Sequence, residues 1–526
     1  MRNYAALGLT ACLALTACGT TVPVGQTLSV QQGGTAAGTS GSGLDGAPGP
    51  DEAGGGVNSV GSAPSGSGGA AATGKSAGSS VNAPGTGGSG STSSGAADAS
   101  STRAGGAGGS GGTGGSGAPT GPVAPGARVT TPIKVGVVTT DIGAAVAALG
   151  GSARSTTAEQ GYRAIFKAVN AEGGLAGRQI VPTFYKVDAT STAYAPEAAR
   201  ACSTFVDAHD EVVLSESAST AYGFAGCLTK QGIPVISSNA SDSVGYAQTP
   251  ALFGAFAPSF DRGYGAVVDK LVASGYVTSK SKIGTIRITC PEVDRAYKNT
   301  VLSRMRAAGL ATPFEYTVNC ASGFNDAGSY SAAMQSAVLK FASAGVDRVF
   351  ILGDQELILL SYFAQQAQSQ NYRPGYALSS GSLPYTLIGA STFPQQQLPL
   401  VHGVGWHPQG DTGADPKSAS EKRCASLATK GGVQPKSVPL RFLIYQNCSN
   451  VLLLEAALKR GNGTATPATL QATIPTLGSS FPSTGIIGGQ TLFGRGRQDG
   501  PQLASEWSYV TSCKCLRYLG KPSPMR

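Results

Sequence analysis

The chain has 526 residues, with 38 Lys+Arg against 29 Asp+Glu for a formal net charge of +9. Beyond the leader no apolar run reaches membrane-spanning length, because the stretch 451–458 is interrupted by Glu455 and ends at Lys459. No Lys/Arg cluster rises above a mildly basic background, which argues against nucleic acid as a partner and reads as a solvated surface.

In chain order the first feature is the leader. Arg2 precedes a short apolar run over 5–15, followed by Leu15-Thr16-Ala17-Cys18-Gly19. The run is too short to span a bilayer and reads as an export signal. The Leu-x-Ala-Cys pattern resembles the lipobox of bacterial lipoproteins. That resemblance implies a signal peptide over 1–17, a mature N-terminus at Cys18 that carries the lipid, and a place on the outer face of the cell membrane. Residues 18–128 come next, almost wholly Gly, Ser, Ala and Thr. Such a segment buries too little apolar surface to offset the entropy of ordering, so a disordered tether is expected, with a span of roughly 55–60 Å. Much of the glycine belongs to this tether. Leader and tether together carry four bases (Arg2, Lys75, Arg103, Arg128) and four acids (Asp45, Asp51, Glu52, Asp98), so the positive charge belongs to residues 129–526.

Those roughly 400 residues are more than one core comfortably holds. Of the ten cysteines, Cys12 and Cys18 lie in the leader and eight lie in this part. An even number in an exported chain suggests disulfides. Pairing between sequence neighbours is expected: Cys202 with Cys227, Cys290 with Cys320, and Cys424 with Cys448. Cys513 and Cys515 on one strand would sit about 7 Å apart on the same face, a strained bridge. The spacings do not match a zinc ribbon or finger, so no metal is expected.

The segment 133–138 is a nearly continuous β-branched run, suited to a strand covered on both faces. Thr156 and Glu159 suggest a capping box, and Tyr162, Ile165, Phe166 and Val169 fall on one helix face. A strand over 179–187, a helix over 195–207, a strand over 211–214 and a serine-rich turn continue the pattern. After Pro258 it starts again, with strands at 282–288, 347–352, 376–379 and 401–406 and helices at 295–308, 330–344, 356–368 and 440–460. The segment 506–518 reads as strand-like. Strand–loop–helix repetition of this kind predicts an α/β fold of doubly wound parallel sheets, here in two lobes.

The run from Ala168 to Ile180, Ala-Val-Asn-Ala-Glu-Gly-Gly-Leu-Ala-Gly-Arg-Gln-Ile, followed by Asp188, resembles the first helix-to-strand segment of type I periplasmic binding proteins of the leucine/isoleucine/valine-binding group, the receptors of ABC importers. The resemblance covers 132–384 well and the remainder loosely. It implies two lobes joined by hinge strands: lobe 1 over 129–256 with about 385–475 returning to it, and lobe 2 over 257–384 completed by about 476–526. A small polar solute would bind in the interlobe cleft, and an ABC permease would be the membrane partner of a monomeric receptor. A ligand sensor or wall-associated lipoprotein on the same fold is the alternative.

By the same resemblance, Ser217 and Ser219 after the third strand match the serine that holds a ligand carboxylate, and Asn239 and Ser241 match the next contact turn. From lobe 2, Asp354 and Ser380 follow the strands at 347–352 and 376–379. Family members that bind amino acids carry an acidic residue near Ser380, so the serine speaks against an α-amino acid unless Asp354 or Glu356 compensates. N-capping is the competing role for these serines, and packing for Tyr222, Phe224, Tyr264 and Leu149. His402 and His407 read as surface residues, and no GxSxG, HExxH, Walker A or Rossmann glycine motif is present in the folded part. No enzyme and no cofactor are expected.

Overall fold

The computed structural model describes residues 128–141, 157–188, 190–216, 223–239, 241–353, 356–388, 393–408, 418–489, 491–494 and 496–526. The expected signal peptide, Cys18 and all but the last residue of the tether lie outside them.

Among the described residues, lobe 1 is built on five strands, β1 (Ile133–Asp141), β2 (Ile180–Asp188), β3 (Val212–Ser215), β4 (Val235–Ser237) and β5 (Leu252–Gly254). They form one parallel sheet in the order β2-β1-β3-β4-β5. Alternate side chains enter opposite layers: Val212 and Leu214 join one apolar cluster and Val213 the other. Burial on both faces is why β3 and β4 read as unbroken apolar runs rather than as alternation, while the edge strand β2 is largely half-buried or exposed.

The helix Ala158–Ala171 packs on the sheet through Tyr162, Ile165, Phe166 and Val169, as the periodicity predicts. Its capping box uses Thr157 and Gln160, one residue beyond the Thr156 and Glu159 expected. The glycine-rich motif after it is a structural tie. Asn170 donates from Nδ2 to the Ile180 carbonyl (2.9 Å) and accepts the Ile180 N–H on Oδ1 (2.8 Å), fastening helix end to β2. Gly174 has φ +85, and a Cβ there would meet the Arg178 carbonyl oxygen at 2.1 Å, so only glycine fits this turn. Arg178 itself is buried and donates to three carbonyls, those of Thr131, Pro132 and Gly463, and to Glu211.

Lobe 2 holds β6 (Ile283–Ile288), β7 (Phe314–Val318), β8 (Arg348–Leu352), β9 (Gly375–Ser379), β10 (Val401–Gly405), β11 (Leu503–Val510), β12 (Cys515–Tyr518) and β13 (Ser523–Pro524). The sheet runs β12-β11-β10-β9-β8-β6-β7, with β13 on β11. It is parallel from β7 to β10 and antiparallel from β10 outward.

Two boundaries differ from expectation. The expected return to lobe 1 includes β10; that strand instead pairs with β9 and β11 and belongs to lobe 2. Conversely Leu477, Phe481, Ile486 and Phe493 bury in the lobe 1 core, so the return runs from about 418 to 494 rather than to 475. A short apolar strand fits either sheet, and only its pairing decides.

The structure bridges Cys202–Cys227, Cys290–Cys320 and Cys424–Cys448. It also bridges Cys513 and Cys515, whose Cα atoms are 5.2 Å apart. The expected strain assumed a single strand over 506–518. That stretch is instead a hairpin between β11 and β12, and Lys514 turns the chain with φ +50, bringing the two cysteines together.

Candidate functional site

Among the described residues the chain passes between the lobes at three places: between β5 and the helix Phe260–Ala273, between β10 and the helix Ala419–Lys430, and between Phe493 and β11. The third passage lies along β5, where Gly254 donates to the Gln498 carbonyl (2.7 Å) and Gly500 to that of Gly254 (2.9 Å). Asp499, between them, accepts the Ser259 N–H (2.8 Å) and pairs with Arg262, joining the first passage to the third.

The second passage begins at Trp406 and His407. His407 is buried, stacks on Phe256 with ring centroids 4.0 Å apart, and meets the Gly485 carbonyl through Nδ1 at 2.9 Å. A carbonyl only accepts, so Nδ1 carries the proton. This histidine is therefore not the surface residue expected from sequence, and His402 is likewise half-buried beside Glu506. Burial pushes the His407 imidazole down to about 3, so it is neutral at pH 7. The unfolded chain then binds one more proton than the native one between pH 6.5 and about 3. Stability contributed here is complete above pH 6.5 and falls as pH drops through that window. His407→Phe is expected to lose about 2 kcal/mol less than the parent between pH 7 and pH 5. Urea denaturation at the two pH values measures this, and equal losses would contradict it.

At the carboxyl ends of the lobe 1 strands stand Ser215, the last residue of β3, with Glu216 after it, and Ser237, the last residue of β4, with Ser238, Asn239 and Ser241 after it. They are held from beneath by the helix Val438–Arg460. Asn450 Nδ2 shares its two N–H groups among three acceptors, the Ser215 carbonyl (2.9 Å), Ser238 Oγ (3.0 Å) and Tyr162 Oη (2.8 Å). Gln446 donates to the Glu216 carbonyl, and the Ser238 hydroxyl donates back to the Gln446 carbonyl (3.3 Å). Burial pushes the Tyr162 hydroxyl well above its usual range, so it stays a neutral donor and acceptor. The sequence reading assigns this helix no part in the site. Its signal was available: Gln446, Asn447, Ser449 and Asn450 interrupt an apolar run, and buried amides need partners.

From lobe 2, Glu356 opens the helix Glu356–Ser369, is buried, and accepts the Ser379 hydroxyl at 2.8–2.9 Å. Ser380 is buried with its Oγ accepting the Trp406 N–H (3.0 Å), and Ser382 donates to the Ser379 carbonyl (2.7 Å). Leu383, with φ +46, leaves this turn and packs against the lobe 1 core.

Of the residues singled out from sequence, Ser217, Ser219 and Asp354 lie outside the described residues, as do Tyr222 and Leu149. Asn239 is half-buried, and its N–H donates to Ser237 Oγ (3.1 Å). Ser241 is buried, with its carbonyl accepting the Phe260 N–H (3.1 Å) and its hydroxyl against Gly245. Phe224 and Tyr264 are core residues of their lobes. The lobes also meet directly: Asp242 accepts two hydrogen bonds from Arg295 (2.7 and 2.9 Å), and Tyr194 donates its N–H to the Ser322 carbonyl (2.7 Å).

Two cavities, of about 440 and 420 Å³, lie away from these strand ends. The first is by Arg163 and Gly432 in lobe 1, the second by Tyr276 and Arg373 in lobe 2. Among the described residues no group of three His, Cys, Asp or Glu is placed to hold a metal, and no helix is long and apolar enough to cross a membrane.

Comparison with solved structures gives the same two-lobed architecture. A solute-binding protein of an ABC transporter from Rhodopseudomonas palustris BisB5, in complex with 3,4-dihydroxybenzoic acid, superposes with a TM-score of 0.54 at 16% identity, covering 76% of this chain and 98% of that one. A fatty acid ABC transporter substrate-binding protein from Thermomonospora curvata gives 0.53 at 14%, covering 76% and 94%. A branched-chain amino acid transporter substrate-binding protein from Streptococcus pneumoniae, in complex with isoleucine, gives 0.52 at 17%, covering 75% and 99%. No curated protein matches the chain. The family model described as periplasmic binding protein matches residues 132–503, from the lead-in to β1 to the start of β11, and the chain belongs to that family.

Proposed function

We propose that this protein is an extracytoplasmic receptor lipoprotein, anchored through Cys18, that captures a small polar solute between its lobes and delivers it to an ABC permease. The observation that carries the reading is the presence of polar residues at the carboxyl ends of strands in each of two sheets joined by three passages. Lobe 1 offers Ser237, Ser238 and Asn239 with the Glu216 carboxylate, and lobe 2 offers Ser379, Ser380 and Glu356. Open parallel sheets take ligands beyond the carboxyl ends of their strands, and lobes that close on a shared ligand draw closing energy from contacts to both. Among the described residues, Thr139 Oγ1 at the end of β1 and Trp406 Nε1 after β10 are buried polar atoms without a hydrogen-bond partner, one in each lobe, which a polar solute or its waters would satisfy.

Solutes of the related proteins are carboxylic acids of different shapes, which supports an organic acid or amino-acid-like ligand here. Glu356, bonded to Ser379, supplies the carboxyl group that Ser380 lacks, so an ammonium-bearing solute remains in range. The turn at 217–220 would hold the carboxylate, and Asn239 would line the opposite wall. The family is one of binding proteins, and this reading assigns no catalysis.

The test is a thermal-shift screen of the purified chain against amino acids, amides, hydroxybenzoates, short organic acids and fatty acids. A cognate solute at a hundred times its dissociation constant is expected to raise the melting temperature by roughly 3–5 °C. A screen across all five classes with no shift would overturn the receptor reading.

A further inference from the structure

The contact between Tyr194 and Ser322 lies far from the three passages. It joins the loop after β2 to the loop after β7, and these are the outer edge strands of their sheets. The passages leave from β5 on one sheet and from β10 and β11 on the other. A contact at the opposite rim has the longest lever against opening.

Both loops are pre-set for it. In lobe 1, Asp188 Oδ1 accepts from the Thr190 N–H (2.8 Å) and hydroxyl (2.7 Å), fixing the turn that leads to Tyr194. In lobe 2, Cys320 is bonded to Cys290, and two residues on Ser322 donates its N–H and hydroxyl to Asp326 Oδ2, each at 2.7 Å. Gly323 then passes so close to lobe 1 that a Cβ on it would sit 2.0 Å from the Thr192 carbonyl oxygen. Its φ of −170° suits any residue, so the glycine answers to the neighbouring lobe and not to its own backbone.

We propose that residues 190–194 and 320–323 form a rim latch, which favours the closed arrangement and so sets part of the affinity from outside the strand-end turns. The proposal rests on the receptor reading above. Apparent affinity scales with the population of the binding-competent state, so a shift of that population appears in full as a shift of dissociation constant.

Tyr194 gives a clean test because it is the first residue of the helix Tyr194–Asp207. Proline is welcome at that position, where the N–H has no intrahelical partner, and Ala193 is already extended (φ −146, ψ 115) as a residue before proline must be. Tyr194→Pro therefore removes the interlobe donor and keeps the helix, while Tyr194→Ala removes the side chain and keeps the donor. Gly323→Val places a branched side chain where the lobes touch.

The readout is the interlobe distance in the full, solute-free chain, from spin labels attached through p-acetylphenylalanine at Val181 and Leu339, which are 48% and 57% exposed. Thermal melting checks that each variant is folded. The parent and Tyr194→Ala are expected to share a short-distance population. Tyr194→Pro is expected to lower the closed-to-open ratio about three- to tenfold, the worth of one net hydrogen bond, and Gly323→Val by more. A distance distribution unchanged in both Tyr194→Pro and Gly323→Val, or a parent already open, overturns the latch. Variants that respond in a protein for which the screen finds no solute keep the latch and remove the receptor; a solute-binding protein whose variants do not respond loses the latch alone.

Discussion

Replacing Arg178 by methionine is expected to lower the stability of the protein by about 3–5 kcal/mol, as removal of one partner from a buried charged network does. The side chain is 2% exposed, and its guanidinium donates to the carbonyls of Thr131 (2.7 Å), Pro132 (3.1 Å) and Gly463 (2.7 Å) and to Glu211 (2.6 Å). These partners belong to three separate pieces of lobe 1: the lead-in to β1, the loop before β3, and the turn after the helix Val438–Arg460. Methionine fills much of the same volume and donates nothing, so three carbonyls lose their partner. Glu211 is partly exposed and regains water, which keeps the loss from exceeding that range. Urea denaturation with an unchanged m value measures the effect. A loss under about 1 kcal/mol would mean that water replaces the guanidinium and that the arginine of the glycine-rich motif has no structural role.

Asp499→Ala is expected to be of similar size, about 3–5 kcal/mol, for a related reason. Asp499 is buried between two of the interlobe passages, accepting the Ser259 N–H and pairing with Arg262, whose Nε already lacks a partner. Alanine leaves a guanidinium that is 12% exposed with its charge uncompensated. Asp499→Asn keeps an acceptor for Ser259 and is expected to fall between alanine and the parent. The alanine variant should also expose the amides of Gly254 and Gly500, which bond one passage to the other. Hydrogen exchange at these two glycines, faster in the variant while amides of β8 and β9 keep their rates, would locate the damage at the hinge. Uniform acceleration would instead mean that the ion pair supports the whole fold.

Much of the architecture is legible in the residues. The strands at 133–138, 211–214 and 347–352 announce themselves because burial on both faces selects consecutive branched apolar side chains. The helix carrying Tyr162, Ile165, Phe166 and Val169 shows its period because one face meets the sheet and the other water. Short elements escape such a reading: β5 has three residues and β7 is half-exposed, so neither carries a pattern long enough to recognise. At the candidate site, the resemblance points to the segments that follow β3, β4, β8 and β9. What holds the ends of β3 and β4, the amides of Gln446 and Asn450 on a helix more than two hundred residues later, is not legible in this way.

Strand and helix periodicity, the apolar faces and the supply of cysteines are local properties, written where neighbours along the chain share one environment, and the sequence alone determined them. The sheet that receives β10, the hairpin that brings Cys513 to Cys515, the burial of His407 against Phe256 and the passage of Gly323 beside Thr192 were decided by tertiary structure. Each depends on which distant segment arrives at the same place, and no single stretch of chain encodes its partner's address.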